Sequence, residues 1–291
     1  MKKILLLCLY MASLFATEPL ISAQKLQHIL KKQQNLVIVD VSDKDVYMQG
    51  HIPTSLNSPI SHWRDKHGKY LLIKETNAIN KEFKKLGITK DSYVVVYSHH
   101  SNTKDILKAS YVLWAMEYYG VKNSSILNGG IIAWRNQKGE IDYAHNSAKQ
   151  AENFEAKKNQ SIYADLNFVK NSIGKANIID ARPTIFYFGA QKQIALAKAG
   201  HIPKAKSYFW RYSFKGDYFK DAALLKKMLV KGMNLHPDKA TITYCTGGLE
   251  TSMNFFVLHR LLGFTNIRLY DASMREWAND VTTPMSLYKW E

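Results

Sequence analysis

Beyond Cys8 near its start, the chain holds a single thiol, Cys245, which follows the β-branched run Thr241–Tyr244 and precedes Thr246, Gly247 and Gly248. A lone thiol cannot close an internal disulfide. Two adjacent glycines behind a strand end let a tight loop bring its backbone N–H groups around the sulfur. From Ser252 onward the apolar residues recur at helical spacing, so a helix N-terminus should lie under that loop. Its free N–H groups and positive dipole end favour a thiolate and any anion attached to it. The chemistry implied is nucleophilic, a sulfur taking an atom from an anionic donor. The competing reading is a small buried hydrophobe, the usual role of a free cysteine.

Other chemistries fit less well. A cysteine phosphatase needs an arginine soon after the thiol to hold phosphate, and Glu250 and Thr251 stand there instead. Serine hydrolysis lacks its Gly-x-Ser-x-Gly elbow. His99 and His100 on a strand end would point opposite ways, and with no closely spaced His/Asp set a metal site is not expected.

The elements that must position Cys245 occur twice. Leu36–Asp40 is an apolar strand ending in an aspartate, followed by Gly50-His51-Ile52-Pro53; Asn177–Asp180 leads likewise to Gly200-His201-Ile202-Pro203. Tyr93–Tyr97 matches Thr241–Tyr244, each followed by a helical pattern closing at Gly120 or Gly263, then a short strand and a tryptophan, Trp134 or Trp277. Short buried strands alternating with helices indicate α/β domains in tandem, each a small parallel sheet with helices on both faces. The expected layout is a first domain over 18–137, a polar linker over 138–160 and a second domain over 161–291. Aligning Tyr97 with Tyr244 places Ser98 opposite Cys245, so one domain is expected to be active and the other to contribute packing or a wall. The matched histidines, His51 and His201, read as turn or capping residues, and the two tryptophans as core. Trp63-Arg64 and Trp210-Arg211 occupy similar places, which makes Arg211 a candidate to reach the site from its own domain.

The chain opens with Lys2 and Lys3 and runs apolar from Ile4 to Phe15, a charged segment and an apolar one too short to span a bilayer. It reads as an export signal over 1–16, cut after Ala16 or as late as Ala23; the large Leu7 argues against a lipoprotein site at Cys8. No later stretch suits a membrane span, so a periplasmic or secreted protein without a stable membrane anchor is expected. Oxidising compartments favour paired cysteines, so an unpaired thiol kept there is one that is used. The formal net charge of +16 is spread in scattered lysines, and export argues against a nucleic-acid partner. The positive field would still help draw in a small anionic substrate.

Taken together, Asp180-Ala181-Arg182, Gly-His-Ile-Pro, the strand ending in Cys245, the loop through Gly248 and the closing glycine-strand-tryptophan pattern resemble the rhodanese family of sulfurtransferases. The resemblance covers nearly all of the chain, twice. It implies an inactive N-terminal domain and an active C-terminal one, with no metal or organic cofactor. Cys245 would accept a sulfane sulfur as a persulfide and pass it to cyanide, another thiophilic acceptor or a sulfur-accepting protein. Thr246, Gly247, Gly248, Leu249 and Glu250 would form the loop holding that sulfur; Asp180 would tie the strand end and Arg182 would line or brace the mouth. The loop matches neither the basic pattern of thiosulfate-type members nor the Gly-Ser-Gly of mercaptopyruvate-type members, which opens polysulfide or a protein persulfide as donor. A non-catalytic sulfur carrier on the same scaffold is the alternative. Glu250 is expected to face solvent from the first helical turn, where a negative charge is favoured.

Overall fold

The computed structural model describes residues 18–102, 104–148 and 154–291. The expected export signal with its Ala16 cut, and residues 149–153 of the expected linker, lie outside them. The first half runs β1 (Leu20–Ile21), α1 (Ala23–Leu30), β2 (Leu36–Asp40), α2 (Lys44–Tyr47), β3 (Leu56–Asn57), β4 (Arg64–His67), β5 (Tyr70–Ile73), α3 (Thr76–Lys85), β6 (Tyr93–Tyr97), α4 (Asp105–Tyr118), β7 (Ser124–Leu127) and α5 (Gly130–Asn136). The second runs β8 (Tyr163–Ala164), α6 (Leu166–Ser172), β9 (Asn177–Asp180), α7 (Thr184–Phe188), β10 (Ala205–Ser207), β11 (Phe214–Lys215), β12 (Tyr218–Phe219), α8 (Ala222–Lys226), β13 (Thr241–Tyr244), α9 (Leu249–Phe256), β14 (Ile267–Tyr270) and α10 (Ser273–Trp277).

Each half builds a five-stranded sheet with every pairing parallel, in the orders β1-β7-β6-β2-β3 and β8-β14-β13-β9-β10. The two orders correspond strand for strand, as the repeat requires. Inner strands of such sheets are covered on both faces and read as continuous apolar runs. Val94–Tyr97 of β6 and all of β13 are accordingly buried. Each half also carries an antiparallel hairpin, β4–β5 and β11–β12, outside its main sheet.

The histidines of the Gly-His-Ile-Pro segments are structural. His51 exchanges backbone hydrogen bonds with Asp142, and His201 with Ser286. Their rings stack on Tyr47 and Tyr187 at 3.7 and 3.8 Å. The strand-end tyrosines close the same corners, since Tyr97 Oη accepts Ile52 N–H at 3.1 Å and Tyr244 Oη accepts Ile202 N–H at 3.2 Å. The pairing of Asp142 stitches the beginning of the 138–160 segment onto the first domain. At the other end, Leu20 and Ile21 pair with Ile126 and Leu127, and the Ser22 side chain caps α1. A cut after Ala16 spares these elements, whereas a cut after Ala23 removes them.

The two halves pack through α4 and α9, the helices that follow β6 and β13. Helix α4 is buried almost all round, the pattern of a helix covered on every side. Ser110 and Ser252 meet hydroxyl to hydroxyl at 2.8 Å across this contact, and Glu117 takes His259 at 2.7 Å and Arg260 at 3.1 Å. One apolar core runs through both halves, joining Val96 and Trp114 to Phe256 and Cys245. The loops that follow β6 and β13 therefore both open close to the domain interface.

Candidate active site

Strand β13 lies between β9 and β14, and its chain exit is held from both neighbours. Tyr244 O accepts Ala181 N–H at 2.9 Å, Cys245 O accepts Met274 N–H at 3.0 Å, and Thr246 O accepts Arg275 N–H at 2.9 Å. The Cys245 N–H donates to Ser273 Oγ at 3.1 Å. Ser273 itself sits at φ +54°, a left-handed conformation that a non-glycine residue adopts only where its surroundings impose it. These bonds fix where the sulfur can be.

The loop then turns on Gly248, at φ +94°, where a Cβ would collide with Asp271 Oδ1 and Arg64 Nη2. No other residue type fits both the angle and the space. Helix α9 starts at the next residue, and the Gly248 N–H donates to Cys245 Sγ at 3.2 Å. Ser273 Oγ is 3.9 Å from the same sulfur. Thr246 Oγ1 donates to Gln193 Oε1 at 2.9 Å, closing the outer side of the loop.

Electrostatics at the sulfur are a contest. Cys245 is 1% exposed, and its thiol is pushed up to about 12, first by burial and then by the Glu250 carboxylate. The backbone N–H groups of Thr251, Gly247 and Gly248 pull the other way. The anion cradle expected from strand, glycines and helix is in place, yet in the resting site desolvation outweighs it. Glu250 is where expectation and structure part. Its carboxylate turns back over the loop, with Oε2 3.4 Å from Thr246 Oγ1, and is half-buried. Burial and the nearby Asp180 raise its pKa, against the opposing charge of Arg182. The reason is tertiary: the acidic side chain of this first turn folds back toward Thr246 Oγ1, within the field of the Asp180 and Arg182 charges.

Asp180 and Arg182 are both buried, 0% and 1% exposed. The Arg182 guanidinium grips the carboxylate through Nε at 2.9 and 3.0 Å and Nη2 at 2.5 Å, and donates to Gly200 O at 2.8 Å. It braces the end of β9 against the Gly-His-Ile-Pro turn and does not line an open mouth. Leu249 is half-buried at the beginning of α9 and packs against the shared core.

The candidate list missed residues from the other domain. Arg64, at the beginning of β4, crosses the interface and donates from Nη2 to Gly247 O at 2.6 Å and Leu71 O at 2.5 Å. It lies 3.5 Å from Asp271 Oδ1 and 4.6 Å above the Tyr111 ring. Asp271 in turn accepts Ile73 N–H at 2.8 Å and Tyr111 Oη–H at 3.0 Å. A negative charge on Cys245 is among the influences that raise the Arg64 pKa, so the two groups share a field. Arg211, a candidate to reach the Cys245 site, lies instead at the first domain's loop with His100 and Asp217. The hairpins cross: each half's arginine reaches the loop of the opposite half, while Trp63 and Trp210 pack within their own. Their matched positions were visible in the repeat, but the crossing was not. Arg275 lies against Gly247, where an added Cβ would come within 3.1 Å of its Cδ.

The rhodanese-like domain model matches residues 22–137 and 165–280. The chain belongs to the rhodanese-like family, and it is a sulfurtransferase. Its relatives include a thiosulfate sulfurtransferase of Corynebacterium glutamicum, 28% identical over 92% of this chain and 90% of that protein. A sulfur carrier protein of Thermus thermophilus, TtuD, is 29% identical over 92% of this chain and 96% of its own length. A solved structure of an EanB variant in complex with ergothioneine superposes with a TM-score of 0.83 at 19% identity, covering 94% of this chain and 71% of that one. At that identity it speaks for the tandem fold.

Proposed function

We propose that Cys245 carries a sulfane sulfur from a small anionic donor (thiosulfate, 3-mercaptopyruvate or polysulfide) to cyanide or another thiophilic acceptor. The observation that carries this reading is the N–H of Gly248, 3.2 Å from Sγ at the beginning of α9. Sγ first loses its proton to solvent, the step that burial and Glu250 make costly. The thiolate attacks the outer sulfur of the donor; with thiosulfate the S–S bond breaks, sulfite leaves with the bonding pair, and a Cys245 persulfide remains. Loop N–H groups oriented before the reaction stabilise the charge on the terminal sulfur without reorganising. The acceptor's lone pair then takes that sulfur, the second S–S bond breaks, and the thiolate returns, so no outside oxidant or reductant is required. The N-terminal domain, with Ser98 in place of the thiol, has no cysteine and acts through Arg64. Steady-state turnover with each donor and cyanide tests the assignment, and more than one product per protein is expected.

A second reading, a sulfur carrier that loads once and waits for a partner protein, is favoured by the raised thiol pKa and by the similarity to a protein named as a carrier. Loading that stops at one sulfur per chain until a protein acceptor is added would select it. The charged and apolar opening of the chain supports export to the periplasm or beyond, where the first residue of the mature protein, read by N-terminal sequencing, checks the cut.

A further inference from the structure

The first domain's counterpart of the Cys245 loop holds a cavity of about 250 Å³ lined by His100, Asn102, Ile106, Arg211 and Asp217. It lies beyond the carboxyl end of β6, where open parallel sheets take their ligands. The His100 side chain is only 6% exposed, and its Nδ1 has no hydrogen-bond partner among the described residues. Asp217 Oδ1 faces it at 3.5 Å, beyond ordinary N–H···O reach. Burial holds the ring toward its neutral form, against the pull of the Asp217 carboxylate, so the carboxylate is left without a close cationic partner inside the cavity. In the same lining the Arg211 guanidinium rests 5.7 Å from the Trp210 and Phe214 rings. Among the described residues it forms no ion pair. The positive end of α4 does not call for an anion, because Asp105 in its first turn already occupies it, accepting Asn102 N–H at 3.2 Å and pairing with Lys108 at 3.0 Å.

A cavity lined by both an unpaired guanidinium and a carboxylate is complementary to a ligand that carries both charges. We propose that it binds a small zwitterion of α-amino-acid type with a short apolar side chain. Its carboxylate meets Arg211, its ammonium donates to Asp217 beside His100, and its side chain lies on Ile106. The site is independent of the Cys245 chemistry and uses residues from both domains.

Isothermal titration calorimetry of the full mature chain with L-alanine, acetate, methylammonium and sulfate tests it. L-alanine should bind, and acetate and methylammonium, which each carry one of the two charges, at least about tenfold more weakly. Arg211→Gln and Asp217→Asn should each weaken L-alanine by a similar factor. Asp217 is 43% exposed, so its substitution should leave the melting temperature unchanged and keeps the test valid should Arg211→Gln unfold. Absence of L-alanine binding, binding indifferent to Asp217→Asn, or sulfate binding more tightly than L-alanine would overturn the assignment.

Discussion

The loops after β6 and β13 share a backbone frame and differ in what hangs on it. Ser98 O accepts Ile131 N–H at 3.1 Å as Cys245 O accepts Met274 N–H, and Tyr97 O accepts Val41 N–H at 3.0 Å as Tyr244 O accepts Ala181 N–H. Gly130 holds φ +53° where Ser273 holds +54°. The side chains then diverge. Ser98 stands for Cys245, and Gly130 offers no hydroxyl to the N–H that Ser273 receives. His99 and His100 fill the space of Thr246 and Gly247. At the strand end, His99 Nε2 meets Asp40 at 2.8 Å where Arg182 grips Asp180. Duplication preserved the scaffold and an arginine reaching each loop from the other half, while the thiol and the two glycines are confined to one loop.

That contrast can be broken at its centre. Cys245→Ser should abolish sulfur loading, a fall of at least about a thousandfold as expected for a lost nucleophile, with circular dichroism unchanged. Next in size is the crossing arginine. Arg64→Met leaves Asp271 buried without its cation, so stability should drop by about 3–5 kcal/mol and turnover should fall with it. Arg211→Met, its counterpart, should leave turnover within about twofold, since only the domain partner of the Cys245 loop should matter. A double variant, Arg64→Met with Asp271→Asn, removes the orphaned charge while its amide oxygen can still accept Ile73 N–H and the Tyr111 hydroxyl, and should recover part of the stability measured by denaturant melts without recovering turnover.

Glu250 is predicted to set the pH profile. Its carboxylate disfavours the thiolate, so removing that charge lowers the Cys245 pKa and moves the rising alkaline limb of activity to lower pH. Glu250→Gln should therefore be faster than wild type near neutrality, and Glu250→Arg faster still with thiosulfate, whose negative charge the carboxylate repels. An unmoved limb would show that Glu250 does not limit the thiol. The smallest expected effect comes from the mirror change. Ser98→Cys should place a thiol on the matching frame and still load no sulfur, because His100 and Ser101 take the place of the glycine turn.

Much of this architecture was legible in the sequence, for particular reasons. The tandem parallel sheets follow from strands such as Tyr93–Tyr97, apolar on both faces, and from paired Gly-His-Ile-Pro turns whose spacing repeats. Cys245 stood out because a lone thiol before two glycines is rarely a packing choice. Two things were hidden. Glu250 sits in a first helical turn, where local rules favour a solvent-facing acid, and its direction is decided by the loop over which it folds back, toward Thr246 Oγ1. Arg64 belongs to a hairpin whose crossing depends on the α4–α9 contact, and no local pattern encodes which domain's loop a surface hairpin will meet.

Passage of sulfur through Cys245 is read directly by intact mass spectrometry. The mature protein and Cys245→Ser would be incubated with thiosulfate, 3-mercaptopyruvate or polysulfide, weighed, and weighed again after cyanide. A gain of one sulfur atom that requires Cys245 and disappears with cyanide is the predicted result; no gain with any donor, or an equal gain in Cys245→Ser, would contradict it.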